Sequence, residues 1–390
     1  MPLVDMRDML YHAYENNYAV GAFDLVSLDF LEAVIDAAES CRSSIILSIA
    51  EPHFEHYDFE LMLSAIETAA KRASVPVSIQ LDHGRSLESA IKAINLGCNG
   101  VMLDASNQDL PSNIDQTRAV VEMAHRCGVS VVGELGYVAG KEGSQHPVED
   151  AVFTLPSEAN VYVQRTGIDF LAVSIGTVQG RMNKRAKLDF ARLKQLNQTV
   201  KIPLVIHGGS GLNEEQFHKL TLNGVAKIDY YTALSDIAAK SMRKRNKDNP
   251  DGDFTYLKKD VKNAVEKEVK HLLRQWGSAG RAAEVLERCT PWLSVEHLIV
   301  HNIKTNSSQL HSSLISEGKQ ILSQIPGVRE VFTGETIKTD DQTKFCWLVR
   351  FTHKAALENF HQHQEFDAFF KKKLNASNGD IICIDFQEKA

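Results

Sequence analysis

The first 230 residues alternate between short apolar runs and longer stretches in which apolar residues recur every three or four positions. The short runs are typical of buried strands and the longer stretches of amphipathic helices, so a strand-helix unit is predicted to repeat. Eight strands alternating with helices favour a (β/α)8 TIM barrel. The apolar runs cover residues 19–23, 44–49, 76–81, 99–103, 129–134, 169–175, 202–207 and 225–230.

A doubly wound nucleotide-binding sheet is the main alternative. That fold carries a G-x-G-x-x-G turn after its first strand, whereas residues 19–30 read AVGAFDLVSLDF. In a barrel, the functional groups gather at the carboxyl ends of the strands. Acidic or imidazole side chains stand at most of the predicted strand ends, so we expect a functional site there. They are Asp24, Glu51, Asp82 with His83, Asp104, Glu134, His207 and Asp229.

Residues 295–390 follow a different pattern, in which elements alternate as βαββαβ. This order predicts a small ferredoxin-like α+β domain with an antiparallel sheet and helices on one face. We therefore expect a barrel over residues 1–282, a linker over 283–294 and the second domain from 295. No further element remains to cover the other face of the sheet, so a second copy is the natural cover and a homo-oligomer, dimer or tetramer, is expected.

Composition and charge exclude several classes. A hydrophobic content of 43% and a net charge of -7 are ordinary for a soluble globular protein. The one dense basic stretch, residues 240–248, is followed by acidic residues, so no nucleic-acid partner is expected. No apolar run reaches membrane-spanning length and the start lacks a signal-peptide pattern, which predicts no membrane association and a cytoplasmic location. Six separated cysteines without a C-x-x-C pair indicate reduced thiols.

Two short motifs suggest chemistry. HGGSG at 207–211 follows the seventh predicted strand, where glycines let backbone N–H groups approach an anion and barrels often bind phosphate. Asn213 and Gln216 next to it are predicted to cap the following helix. His361 and His363, two residues apart on a predicted helix, face different sides, so a surface or packing role is expected there rather than a metal site.

Eight sequence blocks in order resemble the class II, metal-dependent fructose-bisphosphate and tagatose-bisphosphate aldolase family over residues 1–282. They are VGAF (20–23), LDHG (81–84), VMLDAS (101–106), GELG (133–136), IGTVQG (175–180), HGGSG (207–211), KIDYYTAL (227–234) and GSAGRA (277–282). Residues 295–387, with EHLIVHNIK and WLVRF, are similar to the dimeric α/β-barrel (Dabb, stress-responsive) domain.

The aldolase resemblance implies a role for each matching residue. His83 and His207 would bind zinc, and the family's third histidine ligand is Gln179 here. Glu134 and Asp104 would belong to the surroundings of the metal. Asp82 would donate a proton to the aldehyde oxygen, and Glu142, eight residues after Glu134, would move the proton at carbon. The positions implied to contact substrate or its phosphate are Asp24, Gly180, Gly208, Gly209, Ser210, Asp229 and Thr232.

The implied reaction is reversible aldol cleavage of a phosphorylated ketose, in which a divalent cation stabilises an enediolate. Zinc follows from the resemblance, whereas a carboxamide at Gln179 also suits Mn, Mg or Co. A Schiff base is the competing route, with Lys227 the only lysine within a predicted strand of the barrel. The sequence is also compatible with a sugar-phosphate sensor or scaffold without catalysis, and with an isomerase or epimerase that uses the same enediolate.

Asp24 and Asp229 stand where the family usually has asparagine, and these carboxylates should repel a phosphorylated substrate. Cations nearby could offset the repulsion, a metal could lie deeper among the carboxylates, or the substrate could differ from fructose 1,6-bisphosphate. The candidate cations are Arg85, Arg181, Lys184 and Arg185.

Overall fold

The computed structural model of the chain describes residues 2–138, 152–178, 180, 188–302, 308–337, 344–369 and 380–387. Eight parallel strands pair in chain order, and the eighth returns to the first, so they close a barrel. They are β1 (Val20–Asp24), β2 (Ile45–Ala50), β3 (Val77–Gly84), β4 (Gly100–Leu103), β5 (Ser130–Leu135), β6 (Phe170–Val173), β7 (Leu204–Ile206) and β8 (Val225–Tyr230).

The helices of the barrel follow its strands. α1 precedes β1, helices α2 to α9 each follow one strand, and three more helices complete this part of the chain. They are α1 (Met6–Glu15), α2 (Leu28–Cys41), α3 (Phe59–Arg72), α4 (Leu87–Asn95), α5 (Leu110–Arg126), α6 (Pro156–Thr166), α7 (Phe190–Val200), α8 (Glu214–Leu222), α9 (Thr232–Asp248), α10 (Phe254–Lys258), α11 (Val261–Gln275) and α12 (Ala282–Arg288). The (β/α)8 prediction is confirmed, and all eight predicted strands are present.

Helix α1, which the strand-helix pattern did not predict, closes the amino-terminal end of the barrel. Met6 and Met9 are fully buried and pack with interior residues of the strands, such as Ile46 and Val132. Gly100 at the start of β4 makes room for this plug, because a Cβ there would lie 2.3 Å from Met6 Cε. Since this end is filled with apolar side chains, any polar site of the barrel must lie at its other end.

Side chains at the helix starts fix where the helices begin. Ser27 and Ser86 accept backbone N–H groups of the first turns of α2 and α4. The predicted cap of α8 is confirmed, because Asn213 accepts the Gln216 amide at 2.9 Å and Gln216 Oε1 accepts the Asn213 amide at 3.0 Å. These caps hold the loops at the carboxyl ends of the strands in place.

The second domain is an antiparallel four-stranded sheet in the order β10-β11-β9-β12. Its elements are β9 (Val295–Asn302), α13 (Ser308–Ser323), β10 (Val328–Glu335), β11 (Lys344–Phe351), α14 (Lys354–Gln362), α15 (Gln364–Phe369) and β12 (Asp380–Gln387). The βαββαβ prediction is confirmed, with one difference. The single helix predicted after β11 is broken at His363, whose extended backbone ends α14 and whose Nδ1 accepts the Glu365 amide at 3.3 Å.

Polar and aromatic contacts join the second domain to the barrel. Arg329 of β10 donates two hydrogen bonds to the Glu67 carboxylate on α3, each 2.5 Å long. The Gly327 amide donates to Asn95 Oδ1 at 2.7 Å. The rings of Trp292 and His353 stack with their centroids 4.3 Å apart. The two parts are therefore docked through specific contacts.

Among the helices that the structure describes, none is both long and apolar enough to cross a bilayer. All six cysteines are free thiols, and four of them, Cys41, Cys98, Cys127 and Cys289, are buried. This agrees with the reduced state predicted from their spacing.

Candidate metal and substrate site

The polar strand ends meet at one rim of the barrel, as predicted. Asp24, Asp82, His83, Glu134, His207 and Asp229 are buried there, and Asp104 is half-buried. Gln179 and Glu142 lie outside the described residues, as do Arg181, Lys184 and Arg185. The structure thus brings together the predicted groups of strands β1, β3, β4, β5, β7 and β8.

A bulge at the end of β3 brings two consecutive side chains into the site. Neighbouring residues of a regular strand point to opposite faces. Here the register with β4 shifts between Leu81 and Gly84, and His83 takes the left-handed φ of 45°. Asp82 and His83 are consequently both buried at the rim, with His83 Nε2 3.8 Å from Asp82 Oδ2. A left-handed conformation costs a non-glycine residue ~1–3 kcal/mol, and such strain concentrates at functional sites.

Asp104 orients the His83 ring. Its Oδ2 lies 2.9 Å from His83 Nδ1, while its Oδ1 accepts the Ser106 hydroxyl at 2.7 Å and the Ser106 amide at 3.1 Å. A carboxylate that fixes one ring nitrogen leaves the other nitrogen directed at a common target, as around metal-binding histidines. The Asp104 carboxylate therefore fixes the orientation of the His83 ring.

His207 stands between two carboxylates. Its Nδ1 lies 3.0 Å from Glu134 Oε2 and its Nε2 3.3 Å from Asp229 Oδ2. The ring centroids of His207 and His83 are 4.6 Å apart, at an interplanar angle of 64°. The two imidazoles predicted from separate strands are therefore neighbours, and each has a carboxylate near its Nδ1.

Lys227 is a component of the site that the strand-end argument missed. It is fully buried inside the barrel, and its Nζ donates to Asp229 Oδ1 at 2.6 Å. The signal was present in the sequence, because residues two apart on a strand share a face. The pair neutralises Asp229 in part, and an ammonium group engaged in this way is a poor Schiff-base nucleophile.

The carboxylates make the potential at the two histidines strongly negative. Burial alone lowers the pKa of His83, but Asp82 and Asp104 outweigh it and raise the pKa to about 10. Burial is likewise outweighed at His207, whose pKa Asp229 and Glu134 raise well above its usual value. Burial and the charge of Asp104 raise the pKa of Glu134. The same negative potential that favours protonated imidazoles also favours a bound metal cation.

The donor atoms at the rim fit a divalent cation. One atom each from Asp82, His83 and His207 lies within 4.8 Å of the others, and so does one atom each from His83, Asp104 and Glu134. Asp82 Oδ2 is buried without a hydrogen-bond partner in the described part of the chain. Imidazole nitrogen and carboxylate oxygen are ligands for zinc and for neighbouring first-row metals.

The glycine-rich turn after β7 lies against the loop after β6. At Gly208, with φ 72°, a Cβ would lie 2.3 Å from the Val178 carbonyl oxygen, so only glycine fits. Ser210 Oγ accepts the Ala233 amide at 3.3 Å in the first turn of α9. The side chain of Tyr231, just before α9, does not cap this helix. The first residue of α9, Thr232, is buried. The remaining amides of this helix start are suited to an anion.

The barrel rim opens into a cleft of about 580 Å³ beside the histidines. His53 and Arg85 line the cleft with His83 and Asp104. The His53 ring packs on Tyr231 with centroids 4.4 Å apart. Burial and the neighbouring His56 lower the pKa of His53 to about 4, so its ring is neutral near pH 7. Only the folded loops reveal this contact between residues distant in sequence.

Residues 4–281 match the family model described as Fructose-bisphosphate aldolase class-II. A Bacillus subtilis (strain 168) protein named probable fructose-bisphosphate aldolase is 36% identical over 286 residues, which cover 72% of this chain and all of that protein. The chain belongs to the class II fructose-bisphosphate aldolase family. A Staphylococcus epidermidis fructose-bisphosphate aldolase is 35% identical over the same shares. The resemblance seen in the eight sequence blocks is thus confirmed.

Solved structures of aldolases agree with this membership. The YdjI aldolase from Escherichia coli K12 is 33% identical with a TM-score of 0.64, covering 72% of this chain and 99% of its own. A putative fructose-1,6-biphosphate aldolase from Coccidioides immitis is 28% identical with a TM-score of 0.65, covering 72% and 98%. Residues 295–388 match the Stress responsive A/B Barrel Domain, so this aldolase family member carries the second domain that was predicted.

Proposed function

We propose that the barrel catalyses metal-dependent, reversible aldol cleavage of a phosphorylated ketose. The observation that carries the proposal is the convergence of His83 and His207, with ring centroids 4.6 Å apart, inside a cage of carboxylates. Membership of an aldolase family gives the reaction class. The buried Lys227, engaged by Asp229 at 2.6 Å, supports a metal-dependent route over a Schiff base.

His83 and His207 would hold the metal, with Asp104 and Glu134 orienting their rings and Gln179 at the third ligand position. A bound divalent cation would supply Lewis-acid stabilisation of the negative charge that develops on substrate oxygens as the C3–C4 bond breaks. Family membership favours Zn²⁺. A carboxamide oxygen at Gln179 is a harder donor than imidazole, and this supports Mn²⁺, Mg²⁺ or Co²⁺ as further candidates.

Two acids would move the protons. Asp82 is buried beside His83, and its Oδ2 has no hydrogen-bond partner in the described residues, so it is suited to exchange a proton with the aldehyde oxygen of the substrate. Glu142 is proposed, from its spacing to Glu134, to move the proton at carbon. It lies outside the described residues.

The phosphate would lie at the start of α9, against Gly180, Gly208, Gly209, Ser210 and Thr232. Glycines and a helix start offer backbone N–H groups, which bind phosphate without further cations. Asp24 and Asp229 would contact substrate hydroxyl groups. Because Lys227 offsets Asp229, the repulsion of phosphate that two added carboxylates would cause is reduced.

A homo-oligomer is proposed from the face of the second sheet that no element of the described residues covers. An apolar row crosses all four strands there, through paired residues that are partly or largely exposed: Phe332, Leu348, Leu298 and Ile384. Phe332 is 55% exposed and Ile384 44%. Apolar faces of this kind are usually covered by another surface. The free thiols support a reducing compartment such as the cytoplasm.

An assay with a panel of sugar phosphates tests the proposed reaction. Purified protein, stripped of metal and then reloaded with Zn²⁺, Mn²⁺, Mg²⁺ or Co²⁺, should release a trapped aldehyde from at least one phosphorylated ketose. Interconversion of ketoses without a trapped aldehyde would instead identify an isomerase or epimerase. Ligand-induced thermal stabilisation without any turnover, unchanged in Asp82→Ala, would identify a sensor.

A further inference from the structure

A second cluster of histidine and carboxylate groups lies in the C-terminal domain, away from the barrel rim. His297 on β9 and Asp385 on β12 are direct partners in the antiparallel register. Their side chains share the helix-covered face of the sheet, with His297 Nδ1 2.6 Å from Asp385 Oδ1. His361, in the last turn of α14, places its ring centroid 5.0 Å from that of His297, at an interplanar angle of 84°.

We propose that His297, His361 and Asp385 form a second site for a divalent metal ion of the zinc class. One candidate ligand atom from each residue lies within 4.8 Å of the other two. The two imidazoles are the protein ligands, His297 through its Nε2, and Asp385 holds the His297 ring through Nδ1, with the remaining positions left to water or anions.

The hydrogen-bonding state of His297 independently supports a missing ligand. The residue is buried, and its Nε2 has no hydrogen-bond partner among the described residues. Burying a polar nitrogen without a partner costs ~1–3 kcal/mol, so such atoms usually have a bound ion or water. The bond from Nδ1 to a carboxylate is also the arrangement that orients metal-binding histidines.

The surroundings favour a cation reached from solvent. His361 is exposed and the Asp385 side chain is 53% exposed, so an ion can enter without opening the core. Phe360 and Phe366 flank His361, with ring centroids 5.7 Å from it. The carboxyl-terminal end of a helix carries partial negative charge, which favours a cation beside the last turn of α14.

The sequence pattern favoured a surface or packing role for both His361 and His363, and the proposed site departs from that expectation for His361 alone. His363 is absent from the cluster, because the chain turns at this residue and its Nδ1 accepts the Glu365 amide. The partners of His361 come instead from two strands, 64 and 24 residues away in the sequence. This makes His363 a matched control for His361.

Metal binding by the full chain tests the second site. Zn²⁺ equivalents per chain are measured by elemental analysis after equilibrium dialysis, and the visible absorption of Co²⁺ gives a spectroscopic readout of the ligands. His361→Asn should bind one equivalent fewer than His363→Asn, which keeps a side-chain acceptor for the Glu365 amide. Asp385→Asn should weaken the same equivalent by ~10–100-fold.

Equal stoichiometry and equal Co²⁺ spectra for His361→Asn and His363→Asn would overturn the proposal. The aldolase activity of both variants is expected to match that of the unmodified chain, because neither residue lies at the barrel rim. Melting temperatures measured without metal check that both variants fold. Failure of the second site would leave the proposed aldolase reaction unaffected, since that reaction is assayed separately.

Discussion

The two histidine and carboxylate clusters of this chain differ in burial far more than in chemistry. At the barrel rim, His83 and His207 are both buried and each has carboxylates beside its ring. Within the cluster of the C-terminal domain, His297 is buried while His361 and Asp385 are exposed, and Asp385 supplies its one carboxylate. The rim therefore has its donors held before a ligand arrives, which catalysis requires, whereas the second cluster is suited to binding alone.

The largest expected effect comes from removing a rim imidazole. His207→Asn should lower kcat/KM for ketose cleavage by ~10³-fold or more, because the Lewis acid that stabilises the developing charge would lose a ligand. His218→Asn, an exposed histidine on α8, and His361→Asn should keep full activity. If His207→Asn retained full activity with bound metal, the assignment of the rim as the metal centre would be wrong.

Removing the proposed proton donor should have the next largest effect. Asp82→Asn should lower kcat by ~10²-fold, as expected for loss of a general acid. The rim should still bind one equivalent of metal, because His83 and His207 remain. Steady-state kinetics and metal analysis of the same sample measure both quantities. Loss of metal together with activity would instead make Asp82 a ligand.

A ring-orienting carboxylate should matter less than a ligand. Asp104→Asn should weaken metal binding at the rim by ~10–100-fold, because His83 Nδ1 would lose its charged partner. Ser106→Ala removes the hydroxyl bond to Asp104 but keeps the bond from the backbone amide. It should therefore give a smaller loss of metal affinity in the same titration. Asp104→Asn with unchanged affinity would show that the rim is held in another way.

The smallest expected effect concerns the contact between the barrel and the C-terminal domain. Burial raises the pKa of Glu67, but Arg329 and Lys71 outweigh it and lower the pKa to about 2. A lowered carboxyl pKa stabilises the folded state above about pH 4.5, and this is lost as the pH falls toward 2. Arg329→Met should therefore destabilise the protein by ~2 kcal/mol at pH 7.

Urea unfolding of the full chain at pH 7 and at pH 3.5 measures this effect. The difference between Arg329→Met and the unmodified chain should shrink at the lower pH. Arg118→Met breaks an exposed pair with Asp115 and should cost under ~0.5 kcal/mol at both pH values. Equal losses for the two variants would contradict a stabilising role for the Arg329 contact.

The sequence predicted the barrel because each strand is a short apolar run and each helix has its own periodicity. It also predicted the rim, since a barrel brings all strand ends together. Two kinds of feature were not predicted. The bulge that turns both Asp82 and His83 inward depends on the register with β4. Contacts across loops or strands, such as His53 with Tyr231 and His297 with His361, depend on tertiary packing.

Anomalous scattering from crystals of the metal-loaded protein tests the central claim most directly. Data collected at the absorption edge of the bound element should show a peak between the imidazoles of His83 and His207, and the same crystals would show whether Gln179 contacts the ion. The same metal-loaded preparation, assayed in solution, should cleave a phosphorylated ketose. An active, metal-loaded enzyme with no peak at these two histidines would contradict the account.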